Sequence, residues 1–328
     1  MKHYSYLRNM DNYQIRTKLY DASSLYEGYD PADEDSYKDC YDGKVYSRYI
    51  KYGSNCQDVS ITLARTLHDH FISAAMHDFL KDYDPKAIVG IMGGHGLLRS
   101  DPVFRDVAFI SKSLTERGKL MISGGGPGAM EATHLGAWMA GRSDEELDEA
   151  ISMLSQAAPS FKDSRWLSSA FEVMTKYPLC PAPISQERIA AAIDDPKKQG
   201  LHTTDYRSLG IPTWLYGHEP ATPFATHIAK YYTNSIREDQ IVSIAIGGLI
   251  FAPGSAGTMQ EIFQDAAQNH YKTCGACSPM VFLGSEHYGR TVPVYPFLED
   301  LATRGIYKNL RLHLTDSAED AIETICRF

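Results

Sequence analysis

No apolar run in this 328-residue chain approaches the length of a membrane span. The opening Met1-Lys2-His3-Tyr4 leads into a polar, tyrosine-rich stretch rather than a secretory leader, so a cytoplasmic protein without a membrane partner is expected. Positive charge is scarce: 32 Lys and Arg stand against 41 Asp and Glu, a formal charge of −9. Nucleic-acid polymers are held mainly by cations that neutralise phosphates, so this balance argues against such a partner. A small anion remains possible, because a local nest of backbone N–H groups works whatever the net charge. Cysteine is also sparse. Six thiols are too dilute for a disulfide framework. Cys274-Gly275-Ala276-Cys277 has no second ligand pair for zinc, and it follows a helical pattern instead of opening one, as a redox motif would. Structural thiols and no bound metal are expected.

The hydrophobic content of 43% is ordinary for a globular protein, and the length suits one large α/β domain with embellishments. Residues 1–55 are rich in tyrosine and acids without clear periodicity, which suggests an extended arm laid over the domain or over a neighbouring subunit. Residues 58–80 place Ile61, Ala64, Leu67, Phe71, Ala75 and Phe79 at helical spacing. From residue 86 the chain alternates. Short, wholly apolar runs at 87–92 and 119–123 read as buried parallel strands, with helices at 101–116 and 129–140. Residues 143–206 interrupt this as a helical insertion: a capping box at Ser143 opens one helix, a second spans 164–176, and 184–193 suggests another. Strands are then expected at 211–216, 248–252, 280–283 and 312–314. Helices are expected from 224, at 236–246, 259–269, 294–304 and 318–327. The pattern means a doubly wound, Rossmann-like, mostly parallel sheet flanked by helices, with ligands outside the carboxyl ends of its strands. Residues 1–85 form the arm and amphipathic helix, and 86–328 the main domain.

Two strand-to-helix turns are dense in glycine. One is Ser123-Gly124-Gly125-Gly126-Pro127-Gly128, followed by Ala129-Met130-Glu131. The other is Pro253-Gly254-Ser255-Ala256-Gly257-Thr258, with Glu261 three residues on. Each exposes backbone N–H groups at the positive end of a helix dipole, a ready phosphate site. Bland readings stand beside this one. Thr258-Met259-Gln260-Glu261 is also a capping box, so Glu261 can simply cap its helix. Glu131 can be a surface acid near a helix start or a ribose contact. The first turn parses as G-x-G-x-x-A, but dinucleotide binding also needs an acid at the end of the next strand, and Asp144 has no strand before it. His95 follows the first strand and can face a pocket. Asn269-His270-Tyr271 can end its helix or meet a subunit. A pyridoxal-dependent decarboxylase would need a lysine, and neither turn has one.

Together the two turns resemble the LOG ("lonely guy") family, long mislabelled lysine decarboxylases, over about residues 86–142 and 207–328. The G-P-G-A-M-E wording is closest to its long bacterial branch, the nucleotide 5′-monophosphate nucleosidases. The hallmark P-G-G-x-G-T-x-x-E departs only at Ser255. That resemblance implies a hydrolase that splits nucleoside 5′-monophosphates, AMP- or GMP-like, into free base and ribose 5-phosphate, with no cofactor and in a homo-oligomer. It implies Glu261 and Arg237 as the chemical pair. Phosphate or substrate would bind Gly124, Gly125, Gly126, Gly128, Glu131, Gly254, Ser255, Ala256, Gly257 and Thr258. Arg237 occupies the arginine position of an M-x-x-R-K motif in which Asn234 replaces Met and Glu238 replaces Lys. A nonenzymatic nucleotide sensor on the same fold is the alternative.

Overall fold

The computed structural model describes residues 16–182 and 206–328. Seven parallel strands form one sheet: β1 (Ile88–Met92), β2 (Leu120–Ser123), β3 (Ser208–Gly210), β4 (His227–Ile228), β5 (Leu249–Phe251), β6 (Pro279–Leu283) and β7 (Arg311–Thr315). Their spatial order is β4-β3-β2-β1-β5-β6-β7. This is the expected Rossmann-like α/β architecture, and the order reverses between β1 and β5, where Gly90 pairs with Leu249. The loops after those two strands therefore diverge and open a crevice at the strands' carboxyl ends.

Alternation along each strand feeds two cores. Ile88, Met92, Ile122, Phe251 and Phe282 face one layer with Ile72, Met76, Ile241, Ile262 and Leu298. Val89, Ile91, Met121, Ile250 and Val281 face the other with Phe104, Val107, Leu135, Leu147 and Ile325. Helices Val59–Leu80, Asn234–Ile244, Ala256–Tyr271 and Val294–Thr303 thus cover one face; Pro102–Glu116, Ala129–Trp138, Asp144–Ala157 and Ala318–Cys326 cover the other. Among the described residues, no helix is long and apolar enough to cross a membrane.

Three expectations need correcting. The described part of the leading segment is not extended. It forms helix Tyr41–Tyr52 and a 3-10 turn at Glu34–Asp39. Tyr20, Leu25 and Tyr26 are buried, and Tyr20 exchanges backbone hydrogen bonds with Ile228 at 2.9 and 2.7 Å. That cover shields the β4 edge of the sheet. The 211–216 run is not a strand. The strand is β3, just upstream; beyond it Ile211 N–H donates to Ser123 O and Tyr231 N–H donates to Pro212 O, and only an isolated Thr213–Tyr231 bridge follows before the 3-10 turn Trp214–Tyr216. The run's apolar residues Ile211 and Trp214 are buried as packing instead. No helix starts near Phe224; β4 lies there, its β-sheet pairing overriding an alanine-containing run that reads as helical. The two helices of the insertion are present, as is the Ser143 capping box. The helix expected at 184–193 lies outside the described residues.

Candidate active site

The loops after β1, β2 and β5 interlock. Gly94 N–H donates to Pro253 O at 3.0 Å, and Ala129 N–H donates to Gly94 O at 3.2 Å. Glycine is required where they touch. Gly128, at φ +68°, would drive a Cβ into the Gly94 carbonyl oxygen.

The turn after β2 is closed. Residues 124–129 are all buried. Ser123 Oγ accepts from Gly125 N–H at 3.1 Å and lies 2.9 Å from His134 Nε2. Burial holds His134 neutral, pushing its pKa down to about 3. Gly125 O accepts from Thr222 N–H at 2.8 Å. Glu131 is not a surface acid: it is wholly buried and engaged by Arg99 at 2.5 Å and by Trp166 Nε1 at 3.1 Å. Arg99 also donates to Ala158 O at 3.1 Å and to Trp166 O at 3.0 Å, anchoring the insertion's two helices to the helix below the turn. With no accessible surface, the Glu131 carboxylate does not reach a ligand in this conformation. Asp144, the acid a dinucleotide would need, instead pairs with Lys112 at 3.0 Å.

The turn after β5 is open. Ser255, Ala256 and Gly257 are exposed. Helix Ala256–Tyr271 begins with Ser255 as its N-cap residue, whose side chain makes no capping bond. The first N–H groups are therefore without helical partners. Thr258 lies beneath Gly254, where a Cβ would overlap its hydroxyl. His287 Nε2 backs the turn, 3.4 Å from Gly254 N and 3.2 Å from Gly254 O.

This start also removes the capping role suggested for Glu261, which lies in the second turn of the helix. Its side chain is only 13% exposed, and Arg237 Nη1 is 3.9 Å from Oε1, too far for a hydrogen bond. Burial pushes the carboxyl pKa up to about 7; Arg237 opposes the rise and Glu238 adds to it. A carboxyl poised there can take or give a proton near neutrality.

Arg237 joins the two turns. Its Nε donates to Ile211 O at 3.1 Å, and Nη2 would lie 2.9 Å from a Cβ on Gly124. The positions that depart from the M-x-x-R-K wording have found each other: Asn234 Nδ2 donates to Glu238 Oε1 at 2.7 Å. Gln260 holds the other oxygen at 3.1 Å, so a second carboxylate stands beside Glu261. The Arg237 helix is fixed from outside the sheet by Asp69, which accepts from Tyr232 N–H and Thr233 N–H, both at 2.9 Å.

Sequence reasoning missed Asp69, Glu219, His287 and Tyr288, whose hydroxyl donates to Ala252 O at 2.6 Å just before the open turn. His287 and Tyr288 follow the carboxyl end of β6, a position rule that was available. The others carry no periodic signal. His95 is half exposed and stands 3.8 Å from Glu219. Asn269 is a buried tie, accepting from Ser278 N–H at 2.8 Å, while His270 Nδ1 accepts from Lys308 N–H at 2.9 Å. Cys274 and Cys277 are free thiols, and among the described residues no cluster could hold a metal ion.

No family model matches the chain, and neither does any curated protein. Among solved structures it is similar to the molybdenum cofactor binding protein of the phototrophic bacterium Rippkaea orientalis, with 12% identity over 73% of this chain and 95% of that one, at a TM-score of 0.41. It is also similar to TM1055, a structural-genomics target, with 15% identity over 74% of this chain and 99% of that one, at a TM-score of 0.41. Both likenesses are shallow, and neither says what this chain binds or does.

Proposed function

We propose that the chain hydrolyses the N-glycosidic bond of nucleoside 5′-monophosphates to free base and ribose 5-phosphate. The observation that carries this reading is Glu261, a buried carboxyl with its pKa near 7, facing Arg237 beside an uncapped, exposed helix start. The 5′-phosphate sits on the N–H groups of the turn at residues 254–258, of which Gly254 N–H would have to leave His287 Nε2, with the Thr258 hydroxyl as a further donor. Glu261 takes a proton from water as its oxygen bonds the anomeric carbon. The C–N bond breaks, its electron pair leaves with the base, and the base takes up the proton that Glu261 received, directly or through water, which returns Glu261 to the carboxylate. The carboxylate also stabilises positive charge on the ribosyl ring. Arg237 holds ribose or phosphate through its planar fork. A homo-oligomer in a cytoplasmic setting belongs to the same reading.

A panel of purine and pyrimidine monophosphates assayed for free base tests it. The base-release rate should rise with pH and level off above about 7, as Glu261 ionises. Glu261→Gln should lower turnover by about 10²- to 10⁴-fold with folding intact. Glu238→Gln should move the acid limb to lower pH, because a like charge is removed. Equal turnover in wild type and Glu261→Gln would sink the mechanism. A second reading, nucleotide binding without chemistry, is favoured by the closed first turn and by an Arg237 already bonded to Ile211 O. Binding without base release from any nucleotide would select it.

A further inference from the structure

Beside the closed turn stands a carboxylate that the proposed chemistry does not use. Glu219 follows the 3-10 turn Trp214–Tyr216, and its side chain is only 14% exposed. Its Oε1 lies 3.8 Å from His95 Nε2 and 3.7 Å from His218 Nε2, both beyond hydrogen-bond reach. Oε2 lies 4.0 Å from where a Cβ on Gly126 would be. Among the described residues, none donates a hydrogen bond to either oxygen. With a narrow face to solvent and no protein donor, both oxygens stay free to accept hydrogen bonds from a ligand that brings donors.

We propose that Glu219 reads the base of the nucleotide, and that it selects a purine presenting two adjacent N–H donors, as guanine does at N1 and N2. The inference rests on the nucleotide reading above. A carboxylate offers two acceptors side by side, which match that edge in bidentate fashion. Adenine offers one donor beside an acceptor, hypoxanthine has lost the second donor, and xanthine puts a carbonyl oxygen where the amino group was. Reach is adequate. Arg237 Nη2 and Glu219 Oε2 lie 2.9 and 4.0 Å from where Cβ atoms on Gly124 and Gly126 would be, and the Cα atoms of those two residues are at most about 7 Å apart. A ligand of nucleotide length spans from one to the other. His95, packed edge-on against Phe161 with ring centroids 5.8 Å apart, supplies an aromatic wall from the β1 loop and the insertion.

Calorimetric titration of full-length Glu261→Gln protein with GMP, IMP, AMP, XMP and ribose 5-phosphate tests this without turnover. GMP should bind at least about tenfold more tightly than the other three nucleotides, the scale of hydrogen bonds to a charged group. Adding Glu219→Gln should erase that advantage and leave ribose 5-phosphate affinity and the unfolding temperature unchanged. His95→Ala should weaken all four nucleotides together. Nucleotides that bind with no preference for guanine, or with a preference indifferent to Glu219→Gln, overturn the inference alone; Glu219 is then an anion for its two histidines. No binding of any nucleotide or of ribose 5-phosphate overturns the underlying reading and the inference with it.

Discussion

Residues 124–129 are buried in the turn after β2, whereas Ser255, Ala256 and Gly257 are exposed in the turn after β5. Both are glycine turns between a parallel strand and a helix, and each is followed by a glutamate. In the closed turn the glycines accommodate protein: other loops, Met130, Pro212 and the Arg237 guanidinium. Glu131 there is matched by Arg99 and Trp166. In the open turn nothing lies within 4 Å of a Cβ placed on Gly257, and Glu261 is buried with one cation at a distance. Density of glycine therefore reports close backbone approach, but not by what. The closed turn is filled by protein contacts, and the open one is where free N–H groups and an under-compensated carboxyl meet.

Arg99→Ala should do the most damage, because it leaves the Glu131 charge buried without a cation, with only Trp166 Nε1 donating to it. A loss of about 3–5 kcal/mol is expected in urea unfolding. A loss within experimental error would mean the contacts that fill the closed turn do not hold it. Next, Gly128→Ala sets a Cβ against the Gly94 carbonyl at φ +68°. Backbone strain and overlap together should cost about 3 kcal/mol, measured the same way.

An effect of similar size depends on pH. Asp265, on the helix that the open turn starts, is buried with Oδ2 lacking a hydrogen bond, and burial pushes its pKa up to about 8. The folded protein keeps a proton here that the unfolded chain releases near pH 4. Asp265 therefore contributes stability that is lost as pH rises from about 4 to about 8. Glu261 adds a slope of the same sign that ends near pH 7. Asp265→Asn, compared in a Glu261→Gln background, should flatten the decline and raise stability at pH 8 by on the order of 3 kcal/mol. A parallel decline in both proteins would refute the assignment. Smallest of all, Gly257→Ala in the exposed first turn of the helix should stabilise by about 0.5 kcal/mol, since it meets nothing and limits the unfolded chain. Its contrast with Gly128→Ala is the most direct measure of how differently the two turns are built.

Much of the sheet was legible because β1, β2, β5 and β6 are short apolar runs buried on both faces, each ending at a turn. β4 was not, since its two residues are strand only by virtue of β3 and the Tyr20 bridge. The leading segment hid its role for a similar reason. Asp42 is buried against Lys230 at 2.7 Å, with Trp214 Nε1 donating at 2.9 Å, and no local pattern announces partners so distant in sequence.

Alternating apolar runs and glycine turns, both local properties, were enough to set the layered sheet and to mark its carboxyl edge as the place for chemistry. Tertiary structure decided which turn opens to solvent. It also set the protonation of Glu261, which depends on burial and on Arg237 and Glu238 arriving from another helix. Desolvation and charge proximity are properties of space, and residues far apart in the chain acquire them only when the fold brings them together.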